Sequence, residues 1–175
     1  MRLTKPNIKY KDSYIEAVKE YKDAGFTQRT KIYDMNIEEL ENNFSKYIAN
    51  FELESQGKNL PEGYVPQTTY WLINNDEFIG TVSIRHSLTE NLRQFGGHIG
   101  YDIRPSKRRQ GYGKKILQLA IHKAKTIGIK NILITCDVGN IGSKKIIETS
   151  GGKLENKIID NINQPAKLRY WIFVL

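Results

Sequence analysis

The chain has 175 residues, a formal net charge of +8 and a single cysteine; that size fits one folded domain, residues 1–175, with a sizeable core. No run of ~18 apolar residues is present, which excludes a membrane-spanning helix, and Met1–Pro6 lacks an apolar signal core. Lone Cys136 excludes an internal disulfide and suits a reducing, cytoplasmic setting, while the charge favours a polyanionic partner, whether nucleotide cofactor, nucleic acid or anionic surface.

In chain order, a weak first strand precedes Ser13-x-x-Glu16, which reads as a capping box. The helix it opens carries Tyr14, Ile15, Val18 and Tyr21 as an apolar stripe, and Gly25 closes it. Asn36, with Glu39 three residues on, starts a second helix in which Ile37, Leu40, Phe44, Tyr47, Ile48 and Phe51 keep helical spacing to about Leu53. Met35 and the neighbouring aromatics read as core. Residues 55–67, with two glycines and two prolines, form a loop. Thr69–Ile73 and Phe78–His86 read as a hairpin turned at 74–77, and Ser87–Gly96 as a polar connection.

From Gly97, His98, Gly100, Asp102 and Arg104 alternate with Ile99, Tyr101 and Ile103, the period of a strand, which Pro105 ends. From Tyr112 the period is helical, with Ile116, Leu117, Ala120, Ile121, Ala124 and Ile127 on one face and Gly128 as C-cap. Asn131–Cys136 is a continuous apolar run, expected as a buried strand parallel to its neighbour across the helix crossover. Asn140 leads into a short helix with Ile141, Ile146 and Ile147, ended at Ser150-Gly151-Gly152. Lys153–Asp160 and Ala166–Leu175 are the last strands, turned at 161–165. The whole is a mixed α/β (α+β) arrangement, a sheet with helices packed on it.

The loop between strand and helix carries the chemistry. Gly111 and Gly113 leave room for a ligand beside the backbone, and the first N–H groups of the helix have no internal partner. Arg104, Lys107, Arg108, Arg109, Lys114 and Lys115 surround them with no acidic residue among them, so the stretch reads as an anion site suited to phosphate. A dinucleotide fingerprint would need glycine at Ile116, and a P-loop would need Ser or Thr at Lys115; neither fits.

Arg108-Arg109-Gln110-Gly111-Tyr112-Gly113 resembles the Arg/Gln-x-x-Gly-x-Gly/Ala signature of the GNAT superfamily of acyl-CoA-dependent N-acetyltransferases, in which many members have glycine where Arg109 stands. The element order is similar as well. The resemblance implies a single-domain fold with a mixed six- to seven-stranded central sheet, flanked by helices, whose fourth and fifth strands splay apart. It also implies an enzyme that moves an acetyl group from acetyl-CoA to a primary amine by direct attack in a ternary complex. Backbone of Tyr101, Asp102 and Ile103 would bind the pantetheine arm, and Arg108, Arg109, Gln110, Gly111, Tyr112, Gly113 and Lys114 the pyrophosphate. Asn140, with Ser143 beside it, would bond the pantetheine and equally fits an N-cap.

Ile147 stands where many members carry a proton-donating tyrosine, so Tyr170, another tyrosine or water is left for that role. Allowing one residue of slip, His98 falls where some members place a base, and it equally fits a strand histidine bonded to backbone; Tyr101, His86 or a water come next. The acceptor pocket would come from the first two helices, the hairpin and the last strands, with Tyr70, Arg85 and His86 as contacts. The acceptor is expected to be an amine-bearing small molecule or peptide, and the protein a monomer or homodimer away from membranes. The histidines, cysteine and acids lack zinc-ligand spacing, so no metal is expected, and Cys136 reads as a core thiol. The alternative is a non-catalytic module on the same scaffold that binds CoA or nucleic acid; no RNA-recognition or helix-turn-helix pattern favours nucleic acid.

Overall fold

The computed structural model describes residues 1–25, 36–159 and 165–174. Strands β1 (Arg2–Thr4), β2 (Gln67–Asn74), β3 (Glu77–Arg85) and β4 (Ile99–Ile103) form one antiparallel sheet in that order. Strands β5 (Asn131–Asp137), β6 (Lys153–Ile158) and β7 (Lys167–Phe173) form a second, with β7 in the middle. The helices are α1 (Lys11–Asp23), α2 (Ile37–Asn42), α3 (Phe44–Ser55), α4 (Tyr112–Thr126) and α5 (Ile141–Thr149). The β2–β3 hairpin turns on Asn75 (φ 48°) and Asp76 (φ 62°). Both are left-handed, as a two-residue turn matched to strand twist requires, and Asn and Asp tolerate that conformation best after glycine.

The first sheet is covered on both faces, which is why no residue of β2 or β3 is fully exposed. On one face Leu72, Val82, Ile99 and Ile103 pack with Ile116, Leu117, Ala120 and Ala124 of α4, and this core continues into β5, β7 and Ile147. On the other, Trp71, Ile73 and Phe78 pack under Tyr14, Val18 and Tyr21 of α1 and Leu40 and Phe44 beyond them. Tyr14 stacks on Trp71 with ring centroids 4.5 Å apart. The outer edge of the second sheet is β6, exposed along most of its length, with Lys153, Glu155 and Lys157 on it and a register shift between Leu154 and Asn156.

Three sequence expectations change. Helix α1 begins at Lys11, and Ser13 is not its cap: the Ser13 hydroxyl accepts from the Phe78 N–H at 3.0 Å and ties α1 to β3. Asn36 does cap α2, its side chain accepting from the Glu39 N–H at 3.1 Å, but the long helix breaks at Asn43 (φ −115°) into α2 and α3. The parallel ladder expected for β5 is not formed. Its ladder partner is antiparallel β7, and towards β4 it has an isolated bridge between Gly97 and Ile134. Met35 and residues 161–164 of the expected last turn lie outside the described residues.

Candidate active site

Helix α4 returns the chain so that β5 lies beside β4, yet the two strands part. Between them opens a cleft of about 2210 Å³ lined by Ile99 to Ile103 on one side and Thr135, Cys136 and Asp137 on the other. A pocket for one small ligand is typically about 300–1,000 Å³, so this cleft has room for two ligands at once.

One mouth of the cleft is the turn before α4. Gly111, the N-cap, has φ +84°, and Arg109 before it has φ +61°. Glycine adopts that conformation freely; Arg109 does so at a cost. The first turn of α4 contains no acidic residue, so its outward N–H groups and dipole meet no competing carboxylate on the helix. Arg108, Arg109, Gly111, Gly113 and Lys114 all line the cleft. The two glycines differ, however. A Cβ on Gly111 would meet nothing within 4 Å, whereas one on Gly113 would lie 2.7 Å from Ile146 Cδ1. Gly113 is small so that α4 can approach α5.

The expected ring of six bases free of acids is corrected, because acids arrive from α1 and β3. Arg104 is buried, its Nε donating to Glu20 at 2.8 Å, with Glu16 at 3.3 Å and Glu77 at 3.5 Å. Glu20 is partly buried, which alone would raise its pKa, but the bonds from Arg104 and Ser106 outweigh burial and hold the carboxyl below its usual range. Lys107 pairs with Glu77 at 2.8 Å. Arg108 donates to the Ile103 carbonyl at 2.9 Å and pairs with Asp102 at 3.2 Å. Arg109, Lys114 and Lys115 have no ion pair with any described residue.

The other expected site residues divide. Tyr101, Asp102, Ile103, Arg85, Asn140 and Ser143 line the cleft. Asn140 is the N-cap of α5, accepting from the Ser143 N–H at 2.9 Å. Asp102 accepts from Arg108, and burial, ahead of that cation, raises its carboxyl pKa. The side chains of Gln110 and Tyr112 do not line the cleft: Gln110 donates to the Ser106 carbonyl at 2.9 Å, and Tyr112 packs against the α4 core.

Four acceptor and catalytic expectations do not fit. Tyr70 is on the α4 face of β2 with the Lys123 ammonium 5.5 Å from its ring centre. His86 is bonded to Thr68 at 2.8 Å on the exposed surface. Tyr170 is fully buried and donates to Glu148 at 3.1 Å. His98 lies outside the cleft lining, and its Nδ1 accepts from the Leu133 N–H at 3.0 Å. The lone pair a base would use is already engaged, and burial with the charges of Arg93 and Arg85 lowers its pKa to about 4.

The far half of the cleft contains Tyr47 and Phe51, expected as core, and two polar neighbours assigned no role from the sequence, Asn50 and Glu54. Tyr47, Asn50, Phe51 and Glu54 sit at i, i+3, i+4 and i+7 on one face of α3, opposite Thr69, Ser83 and Arg85 of the hairpin. The mixed polar and aromatic character of that face was the available signal. The Tyr14 and Tyr47 hydroxyls are 2.5 Å apart, Thr69 and Ser83 hydroxyls 3.0 Å, and Glu54 accepts from Gln67 at 3.1 Å. Cys136 also lines the cleft, and burial, with the charge of Asp137, pushes its thiol up to about 11, so it is held as a thiol. Among the described residues no group of three or more metal-ligating side chains is found.

The family model for the acetyltransferase (GNAT) domain matches residues 11–153, well over half the chain. Comparison with curated proteins finds no match. Among solved structures, RimL, the ribosomal L7/L12 alpha-N-protein acetyltransferase in complex with coenzyme A, superposes with a TM-score of 0.70 at 20% identity, covering 98% of this chain and 93% of that one. The microcin C7 self-immunity acetyltransferase MccE, in complex with acetyl-CoA and AMP, has a TM-score of 0.70 at 17% identity over 98% and 91%. The Salmonella typhimurium acetyltransferase that modifies the N-terminal serine of L7/L12 has a TM-score of 0.67 at 21% identity over 98% and 94%. At these identities the likeness is one of fold.

Proposed function

Since the chain belongs to the GNAT acetyltransferases, we propose that it transfers the acetyl group of acetyl-CoA to a primary amine by direct attack within the cleft between β4 and β5. The observation that carries this is the meeting of that fork with an anion-binding turn at its mouth. The backbone N–H groups at the start of α4 and the charges of Arg109 and Lys114 would hold the pyrophosphate. Tyr101 to Ile103 of β4 and Asn140 and Ser143 of α5 line the same cleft, where a pantetheine arm would lie. Backbone N–H groups on β4 would polarise the thioester carbonyl. The amine enters from the α3 and hairpin half. Cys136, held as a thiol, is no activated nucleophile, so an acyl-enzyme is not expected.

Tyr101 takes the place of the tyrosine missing at Ile147. Its hydroxyl is buried, and its polar neighbour is the side chain of Ser143, on the helix that carries Ile147. Burial pushes its pKa up to about 12, so it keeps the O–H that a departing thiolate needs. The test follows CoA thiol release from acetyl-CoA with peptides bearing free N-termini and with aminoglycosides, the acceptor classes suggested by the ribosomal-protein enzymes and by small-molecule acetylation. Turnover with one class is expected, and Tyr101→Phe should lower kcat by roughly 10²-fold with acetyl-CoA affinity kept. An unchanged kcat removes Tyr101 from the role. Tight CoA binding with no thiol release across the panel would favour the second reading, a binding module, for which Ile147 is the specific motive.

A further inference from the structure

The point where β4 and β5 part is built in an unusual way. Leu133 of β5 presents both backbone groups towards β4. Its carbonyl accepts from the His98 N–H at 2.7 Å. Its N–H, which a neighbouring strand would pair with a carbonyl, donates instead to the His98 ring at Nδ1, 3.0 Å away. The surroundings fix the backbone that carries that ring. Gly97 has φ +70°, and a Cβ there would stand 2.6 Å from the Leu133 carbonyl oxygen, so no other residue allows this approach. The Arg85 N–H donates to the His98 carbonyl at 2.8 Å, and the Arg85 guanidinium to the Gly97 carbonyl at 2.9 Å. The Thr135 hydroxyl donates to the Phe95 carbonyl at 2.9 Å.

A ring nitrogen in place of a carbonyl satisfies one N–H and cannot propagate a ladder. Thr135, two residues further along β5 and therefore on the same edge, already lines the cleft. We propose that His98 is the positioning residue of the fork: its Nδ1 closes the last rung between β4 and β5 and so sets where, and how widely, the cleft opens. The role requires the neutral ring protonated at Nε2. Burial, then the charges of Arg93 from the 92–96 turn and Arg85 from β3, keep it neutral at pH 7. The rung is made of protein groups alone, so the proposal stands apart from the acetyl-transfer reading.

The test combines ring-nitrogen NMR of the wild type with amide hydrogen exchange of the wild type, His98→Phe and His98→Asn. The ring should show the Nε2–H tautomer and no titration between about pH 8 and 5. The Leu133 amide should exchange at least ~10-fold faster in His98→Phe, which has no acceptor, and within about 5-fold of wild type in His98→Asn, whose Oδ1 replaces Nδ1. Where thiol release is measurable, His98→Phe should raise KM for acetyl-CoA more than it lowers kcat, and His98→Asn should restore most of the loss. A ring titrating near 6.5, an Nδ1–H tautomer, or Leu133 equally protected in His98→Phe overturns the proposal. So does His98→Asn with Leu133 protected and kcat lost, the pattern of a base. If His98→Phe does not fold, the wild-type ring and the Asn variant decide. If no amine is acetylated, the NMR and exchange results decide alone.

Discussion

Arg109 offers a substitution whose two effects carry opposite signs. Its φ of +61° places a residue with a Cβ in the left-handed region, which costs about 1–2 kcal/mol. Arg109→Gly removes that cost and returns roughly 0.4–1 kcal/mol as extra freedom of the unfolded chain. The net is a gain of up to roughly 1.6 kcal/mol, centred at about 0.8 kcal/mol, or about 2–3 °C in Tm at that centre for a chain of this size. The same change deletes an exposed cation that has no ion pair with any described residue and lies at the mouth of the cleft. A charge-assisted bond to phosphate is worth about 1.5–3 kcal/mol, so acetyl-CoA should bind at least tenfold more weakly. Arg109→Ala separates the effects, because it loses the charge and keeps the strained backbone: affinity should fall equally and Tm should not rise. Calorimetric titration with acetyl-CoA and thermal unfolding of the free protein measure both. A lower Tm for Arg109→Gly would refute the backbone argument, and wild-type affinity in both variants would refute the placement of the pyrophosphate.

Arg104 should behave in the opposite way. Arg104→Ala strips Glu20, Glu16 and Glu77 of a buried cation and should cost ~2 kcal/mol in urea unfolding, while acetyl-CoA affinity of the folded protein stays within about threefold. Lost affinity with an unchanged midpoint would return Arg104 to the anion site. The third prediction concerns acid. His98 titrates at about 4 in the fold and near 6.5 when unfolded, so the unfolded chain takes up its proton first as pH falls. The stability tied to its neutral ring is complete above about pH 6.5 and is lost on the way down through pH 4. Unfolding midpoints of the wild type should fall across that window more steeply than those of His98→Asn; parallel curves would contradict the buried neutral ring.

Periodicity made the elements legible because it depends on nearest neighbours along the chain. The stripe of α4 and the alternation of β4 follow from which residues meet a core. The stripe holds from Ile116 to Ala124 but not at Ile127, which is exposed beyond the helix end, and the alternation holds until Arg104, which is buried. What distance in sequence controls was not readable. Arg104 looked like a phosphate ligand because its partners Glu16, Glu20 and Glu77 lie 27 to 88 residues away. Ser13 matched a capping box, yet its hydroxyl serves Phe78 across the core. Gly113 looked like room for a ligand alone; it lines the cleft and also leaves room for Ile146 of α5. In the acceptor half, Tyr47 and Phe51 carry the spacing of core residues, and Asn50 and Glu54 beside them are the local sign that this face of α3 borders a cleft. Asn140 was readable because a cap acts within four residues.

The exposed strand β6 bears on how the protein behaves in concentrated solution. Its outer main-chain groups offer a template on which a strand of another molecule can add. Lys153 and Lys157 place like charges along that template, and an incoming copy would bring the same pattern. The register shift at Glu155, whose carboxylate is held by Arg169 at 3.0 Å, interrupts the regular spacing that strand addition needs. Leu154 is the one large apolar side chain strongly exposed on the strand, too little surface to drive association alone. With an overall charge of +8 adding long-range repulsion, β6 resists sheet-to-sheet growth, and colloidal stability should fall as salt screens that repulsion.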